Sequence, residues 1–194
     1  DGRLVSGAWF GDESGGVYFS SDNGITWPIN VLGGLSVFDI THGTDRVLFA
    51  VTKHWSAGHG DVLALDPADS TWYSIKGNIA LDLYRTLCVA AGGTIFVGSD
   101  SSGIFRSEAG DTAWGPVNSG LASLTINDIV VTPQDVLYAA TAGGVFCSIN
   151  HGGNWDDVSD GLTDRSVLSL ALDSNGHLFA GTERGGLFMT ATSR

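Results

Sequence analysis

The stretch Ser20-Ser-Asp22-Asn-Gly24-Ile-Thr26-Trp27 decides how the rest of the chain is read. It is a polar turn that ends on a large aromatic residue and directly follows the strand-like run Gly16-Val-Tyr-Phe-Ser20. Asp and Ser side chains can cap the amides of a tight hairpin, and Gly supplies a positive φ. A Trp at the end of such a turn has an apolar ring to bury against a neighbouring element.

The same pattern recurs along the chain. Trp27, Trp72, Trp114 and Trp155 are spaced by 45, 42 and 41 residues. Each follows a comparable run: Gly60-Asp-Val-Leu-Ala-Leu65, Gly103-Ile-Phe-Arg-Ser107 and Gly144-Val-Phe-Cys-Ser148, with a last copy at Gly186-Leu-Phe-Met-Thr190. Ser148-Ile-Asn150-His-Gly152-Gly-Asn-Trp155 nearly repeats the first turn, with Asn in place of Asp. The copies ending at Trp72 and Trp114 keep the Trp and lose most of the polar positions. A period of about 42 residues is that of one four-stranded propeller blade.

Within each period an inner strand is expected at 36–41, 86–91, 125–132 and 166–173, and a second strand at 46–52, 94–99, 136–141 and 177–182. The Gly-led run is the third strand and the fourth starts at each Trp. The expected fold is therefore all-β: one propeller domain over residues 1–194, of about five four-stranded antiparallel blades, with repeats at about 1–33, 34–78, 79–120, 121–161 and 162–194. The first repeat lacks an inner strand and the last lacks a fourth. Either the chain is a fragment of a larger propeller, or its unpaired blade edges are completed by oligomerisation.

Composition agrees with many short strands and tight turns. The chain has 28 Gly, 43% hydrophobic residues and only 15% charged residues. Its formal charge of −12 comes mainly from 18 Asp against 3 Glu, and much of that is turn chemistry. Such a negative field argues against nucleic acid and anionic membranes as partners, since both require Lys and Arg. No run of about 18 apolar residues offers a membrane span. Cys88 and Cys147 sit in apolar strand-like runs and read as unpaired core residues. The chain begins at Asp1 without Met, as expected of a processed, trimmed or fragmentary form.

These repeats resemble the Asp-box (BNR-repeat) propellers, a broad group that includes sialidases, xyloglucan-active glycosidases and many non-catalytic bacterial binding or sensor propellers. The segments Gly161–Leu172 and Leu178–Thr182 look most like the non-catalytic, sensor-like branch. The resemblance implies that Ser20, Asp22, Gly24, Thr26 and Trp27, with Ser148, Asn150, Gly152 and Trp155, are structural. It also implies that the second-to-third and fourth-to-first connections share one face. That face carries the expected ligand contacts: Trp9, His54, Trp55, Tyr84, Arg85, Arg165 and Arg184. The connection over 52–61 is long and holds a Trp and two His where its sisters hold Gly, Ser and Thr, so it leads this set. Trp9 and Trp55 offer rings for sugars, and the arginines offer donors for carboxylates or hydroxyls. Pairing of the arginines with nearby acids is the structural alternative.

Catalysis would require more. A sialidase needs three convergent arginines, a Tyr–Glu nucleophile pair, an acid/base Asp and normally a Phe/Tyr-Arg-Ile-Pro segment. That segment is absent, although Arg85, Arg165 and Arg184 with Tyr84 and Glu183 form a partial set. Xyloglucan-type hydrolysis needs two carboxylates, and Asp39 and Asp128 occupy matching inner-strand positions. His54, His59 and Asp61 match no metal spacing. The expectation is a non-catalytic propeller, without cofactor or metal, that binds a glycan or protein. A glycoside hydrolase, or a fragment of one, is the alternative, and a structural assembly module is the third reading. A secreted or periplasmic bacterial setting is expected from the family resemblance.

Overall fold

The computed structural model describes residues 4–9, 15–43, 47–54, 58–66, 68 and 70–190. The chain folds into five antiparallel sheets, each a meander. The first sheet holds β1 (Leu4–Ala8), β2 (Gly16–Ser20) and β3 (Ile29–Val31). The second holds β4 (Leu35–His42), β5 (Leu48–His54), β6 (Gly60–Leu65) and β7 (Trp72–Ser74). The third consists of β8 (Tyr84–Val89), β9 (Ile95–Ser99), β10 (Ile104–Ser107) and β11 (Gly115–Pro116). The fourth contains β12 (Ile126–Val131), β13 (Leu137–Thr141), β14 (Gly144–Ser148) and β15 (Asp156–Asp157). The fifth has β16 (Val167–Leu172), β17 (Leu178–Thr182) and β18 (Leu187–Met189).

The inner strands β4, β8, β12 and β16 pack side by side in that order, and β1 packs on β4. This is the radial arrangement of a β-propeller. No comparable contact joins the β1 sheet to the β16 sheet among the described residues.

The core lies between blades. Val51, Val62, Ile75, Leu87, Val97, Phe105 and Trp114 fill the second-to-third interface. Phe96, Ile104, Ile126, Ile129, Leu137, Phe146 and Trp155 fill the next one. Strands β9, β13 and β14 are buried at every position. A middle strand has a neighbouring sheet on both faces, which explains its continuous apolar runs where a one-sided sheet would alternate.

Two devices fix the spacing of the blades. The Trp114 indole N–H donates to the Ile75 carbonyl of the preceding blade, and Trp155 donates likewise to Val117, each at 2.8 Å. The chain after β11 passes closely under Trp155, whose amide donates to the Ser119 carbonyl at 2.9 Å. At Gly120 (φ 91°) an added Cβ would lie 2.1 Å from the Trp155 carbonyl oxygen, so only glycine fits.

Trp27 corrects the expectation that every such Trp packs between blades. It is 37% exposed, and its indole donates to the Gly24 carbonyl of its own turn. No blade precedes it among the described residues.

Candidate functional site

Two regions gather polar side chains: the inner strands at the propeller axis, and the face carrying the β5–β6, β9–β10, β13–β14 and β17–β18 connections.

Each complete inner strand carries a bulge at the same place, between Val37 and Asp39, Tyr84 and Thr86, Ile126 and Asp128, and Val167 and Ser169. A bulge re-aims the residue that follows it. Asp39, Thr86 and Asp128 use that freedom to bond to the next blade. Asp39 Oδ2 accepts the Leu87 amide at 2.9 Å, Thr86 Oγ1 accepts the Ile129 amide at 3.3 Å, and Asp128 Oδ2 accepts the Leu170 amide at 2.7 Å. The three side chains form a ladder around the axis, and every rung crosses a blade boundary. The Thr86 hydroxyl lies 3.0 Å from Asp39 Oδ2 and 3.3 Å from Asp128 Oδ1. It has one proton and serves one carboxylate at a time.

Burial raises the pKa of both acids above the ordinary 3.8, and the amide bonds offset this only in part. The nearby Asp39 charge pushes Asp128 up further. Burial, followed by the charge of both acids, also raises the pKa of the Cys88 thiol beside them. Asp39 and Asp128 line one cavity of about 380 Å³, so the matching sequence positions do converge. The ladder bonds were not read from the sequence. Thr86 does not stand out beside the two acids, although aligning the repeats on the ends of their second strands, at 52, 99 and 141, places it at the same position as Asp39 and Asp128.

On the loop face the arginines are largely engaged. Arg85 Nε donates to Asp100 at 2.7 Å. Arg165 pairs with Asp157 and donates through Nε to the Gly143 carbonyl at 2.9 Å. Arg184 is exposed, 3.7 Å from Glu183. The expected ligand contact at Tyr84 is corrected: the ring is buried and its hydroxyl donates to the Ala80 carbonyl at 2.5 Å. Burial first, then the charges of Asp82 and Asp61, pushes its pKa up to about 12. Tyr84 therefore anchors the fourth-to-first connection and presents no surface to a ligand. Trp9 and His54 are exposed. Trp55 lies outside the described residues.

A smaller cavity of about 120 Å³ opens beside β5 and β6, lined in part by Thr52, His54, His59, Asp61 and Lys76. No group of three His, Cys, Asp or Glu among the described residues is arranged to hold a metal ion. No helix among them is long and apolar enough to cross a membrane.

On the opposite face lie the third-to-fourth turns. Ser20 donates to Asp22 Oδ1 at 2.7 Å, Ser20 Oγ accepts the Gly24 amide at 2.9 Å, and Asp22 Oδ1 accepts the Thr26 amide at 2.9 Å. Ser148, Asn150, Gly152 and Asn154 repeat these three bonds, each at 2.9 Å. Hydrogen bonds from the Thr26 side chain, then its amide, then Ser20, hold Asp22 down at a pKa of about 2.

No family model matches the chain, and no curated protein matches it. Similar solved structures are propellers or contain them. The extracellular domain of a protein assigned as a hybrid two-component system, BT4673 from B. thetaiotaomicron, superposes with a TM-score of 0.71 at 13% identity over 96% of this chain and 25% of that one. The GH74 enzyme of Niastella koreensis gives 0.69 at 16% identity over 93% and 31%. The WD40 β-propeller domain of Doa1 gives 0.71 at 15% identity over 97% and 60%. The chain thus spans about a quarter to three fifths of these proteins, and at such identities the likeness establishes the fold alone.

Proposed function

We propose that this chain is a non-catalytic binding propeller that recognises a glycan or a protein segment through the face carrying its second-to-third connections. The observation that carries this reading is how differently the two polar regions use their side chains. At the axis, Asp39 and Asp128 each accept an amide of the neighbouring blade, so the pair expected of a hydrolase is committed to holding blades together. On the loop face, the second blade has an enlarged connection, with His54, His59, Asp61 and Lys76 around a cavity. The Ser20–Trp27 and Ser148–Trp155 turns support placing the chain among the Asp-box propellers. The extracellular neighbour supports a bacterial, secreted or periplasmic setting.

The GH74 neighbour keeps a glycoside hydrolase as the second reading. Leu187 and Met189, exposed on β18 at the edge of the fifth sheet among the described residues, favour an assembly role as the third. One set of measurements separates the three. Binding to a glycan and peptide panel, with no turnover of chromogenic glycosides, supports the proposal. Turnover that is lost in Asp39→Asn or Asp128→Asn replaces it with the hydrolase. A defined oligomer by light scattering, with neither binding nor turnover, replaces it with the assembly module.

A further inference from the structure

In three blades the hydroxyl at the end of the second strand closes the turn that follows. Ser99 donates to the Gly103 carbonyl and accepts the Ser102 amide, both at 3.0 Å. Thr141 does the same with Gly144 and Gly143, both at 2.9 Å, and Thr182 with Gly186 and Gly185, both at 3.0 Å. Thr52 holds this position in β5, but the third strand of its blade does not begin until Gly60. The tight turn is missing and the hydroxyl has nothing to close. Thr52 is 1% exposed, and its Oγ1 has no hydrogen-bond partner among the described residues. A buried hydroxyl left unpaired is a standing cost to the fold, and a polar group so placed calls for an explanation.

Thr52 lines the 120 Å³ cavity together with His59, Asp61 and Lys76. Asp61 Oδ1 accepts the Ser74 hydroxyl at 2.6 Å and the Val62 amide at 2.8 Å, which leaves Oδ2 open among the described residues. His59 Nδ1 faces the Gly60 carbonyl at 3.2 Å, which leaves Nε2. Lys76 has no ion-pair partner among the described residues. The cavity therefore offers donors and acceptors together within a space that admits only a few atoms.

We propose that this cavity takes the hydroxyl edge of a neutral sugar, with Thr52 Oγ1, Asp61 Oδ2 and the Lys76 ammonium bonding to adjacent hydroxyls. The proposal rests on the reading of the loop face as the binding face. Hydroxyls suit the site because each can donate to the carboxylate and accept from the ammonium. A carboxylated sugar suits it less, since Asp61 lies in the cavity and the chain carries a formal charge of −12.

The test uses the whole chain and a set of methyl glycosides of glucose, galactose, mannose, xylose and N-acetylglucosamine, with glucuronate and sialyllactose as charged probes. Affinity is read by calorimetry and stability by melting temperature. A neutral glycoside is expected to bind, and Thr52→Val, Asp61→Asn and Lys76→Met are each expected to weaken it by about tenfold or more. Thr52→Val is isosteric and removes the unpaired hydroxyl, so without sugar it is expected to melt no lower than the wild type. That separates lost binding from lost folding. A Thr52→Val protein that binds within about twofold of wild type, or a wild type that prefers the charged probes, overturns the inference. Neutral-sugar binding untouched by all three variants overturns it while leaving the binding-face reading intact. No binding by any probe removes both the inference and the glycan half of that reading.

Discussion

The turn at Ser20–Trp27 and the turn copy that ends at Trp114 make an instructive pair. The first keeps every polar position of the repeat, and its Asp22 is bonded on both oxygens. Yet Trp27 stays 37% exposed and, among the described residues, its indole bonds to its own turn. The copy before Trp114 reads Ser107-Glu-Ala-Gly-Asp-Thr-Ala and has lost the pattern. Trp114 is nonetheless 6% exposed and bonded to the preceding blade. Turn chemistry and blade packing are therefore separable. The polar residues shape a local hairpin, and the Trp stabilises the fold only where another blade meets it.

That comparison can be broken most forcefully at Trp155, which is 2% exposed and bonded to Val117. Trp155→Ala is expected to cost about 3–5 kcal/mol, read as the shift in a urea unfolding midpoint. A loss below about 1 kcal/mol would show that the indole does not hold the interface. Trp114→Phe keeps a ring and removes the N–H, leaving the Ile75 carbonyl unpaired at an expected cost of about 1–2 kcal/mol. Trp27→Ala, although it alters the best copy of the motif, is expected to cost less than about 1 kcal/mol. If it destabilised as much as Trp155→Ala, the two roles would not be separable.

The pH dependence sharpens the contrast at smaller amplitude. Asp39 and Asp128 have pKa values raised in the fold, so their contribution is fully present below 3.8 and is lost as pH rises through the raised values. Asp22, held down to about 2, behaves oppositely: its contribution is present above 3.8 and is lost as pH falls towards 2. In stability curves against pH, Asp39→Asn or Asp128→Asn is expected to flatten the decline above pH 3.8. Asp22→Asn, which installs the residue found at Asn150, is expected to flatten only the acid limb. Identical curves for the two classes of variant would contradict the assignment of one class to buried axial positions and the other to an open turn.

Much of the architecture is legible in the chain. The inner strands expected at 125–132 and 166–173 are found at 126–131 and 167–172, because the turn residues Thr132-Pro133 and Asp173-Ser-Asn-Gly176 stop each one. The inner strand expected at 86–91 is found two residues earlier, at Tyr84–Val89, because the chain already turns at Ala91–Gly93. The loop face is harder to read. For Arg85 and Arg165 the sequence leaves ligand contact and pairing with nearby acids both open, and the distances to Asp100 and Asp157 show them paired. Tyr84 adjoins Arg85 in the chain, yet it turns inward to Ala80.

What the sequence determined by itself was the repeat: the period of the Trp residues, the strand count within each period and the residues able to shape each turn. These are local properties, set by spacing and by the conformations each residue allows. What only the tertiary structure decided was which of those residues are satisfied. Asp39, Thr86 and Asp128 became rungs between blades because bulges aimed them at the next strand's amides. Thr52 was left unpaired because a longer connection removed its partner. Hydrogen-bond satisfaction depends on atoms some 40 residues away in the chain, and no local pattern encodes those distances.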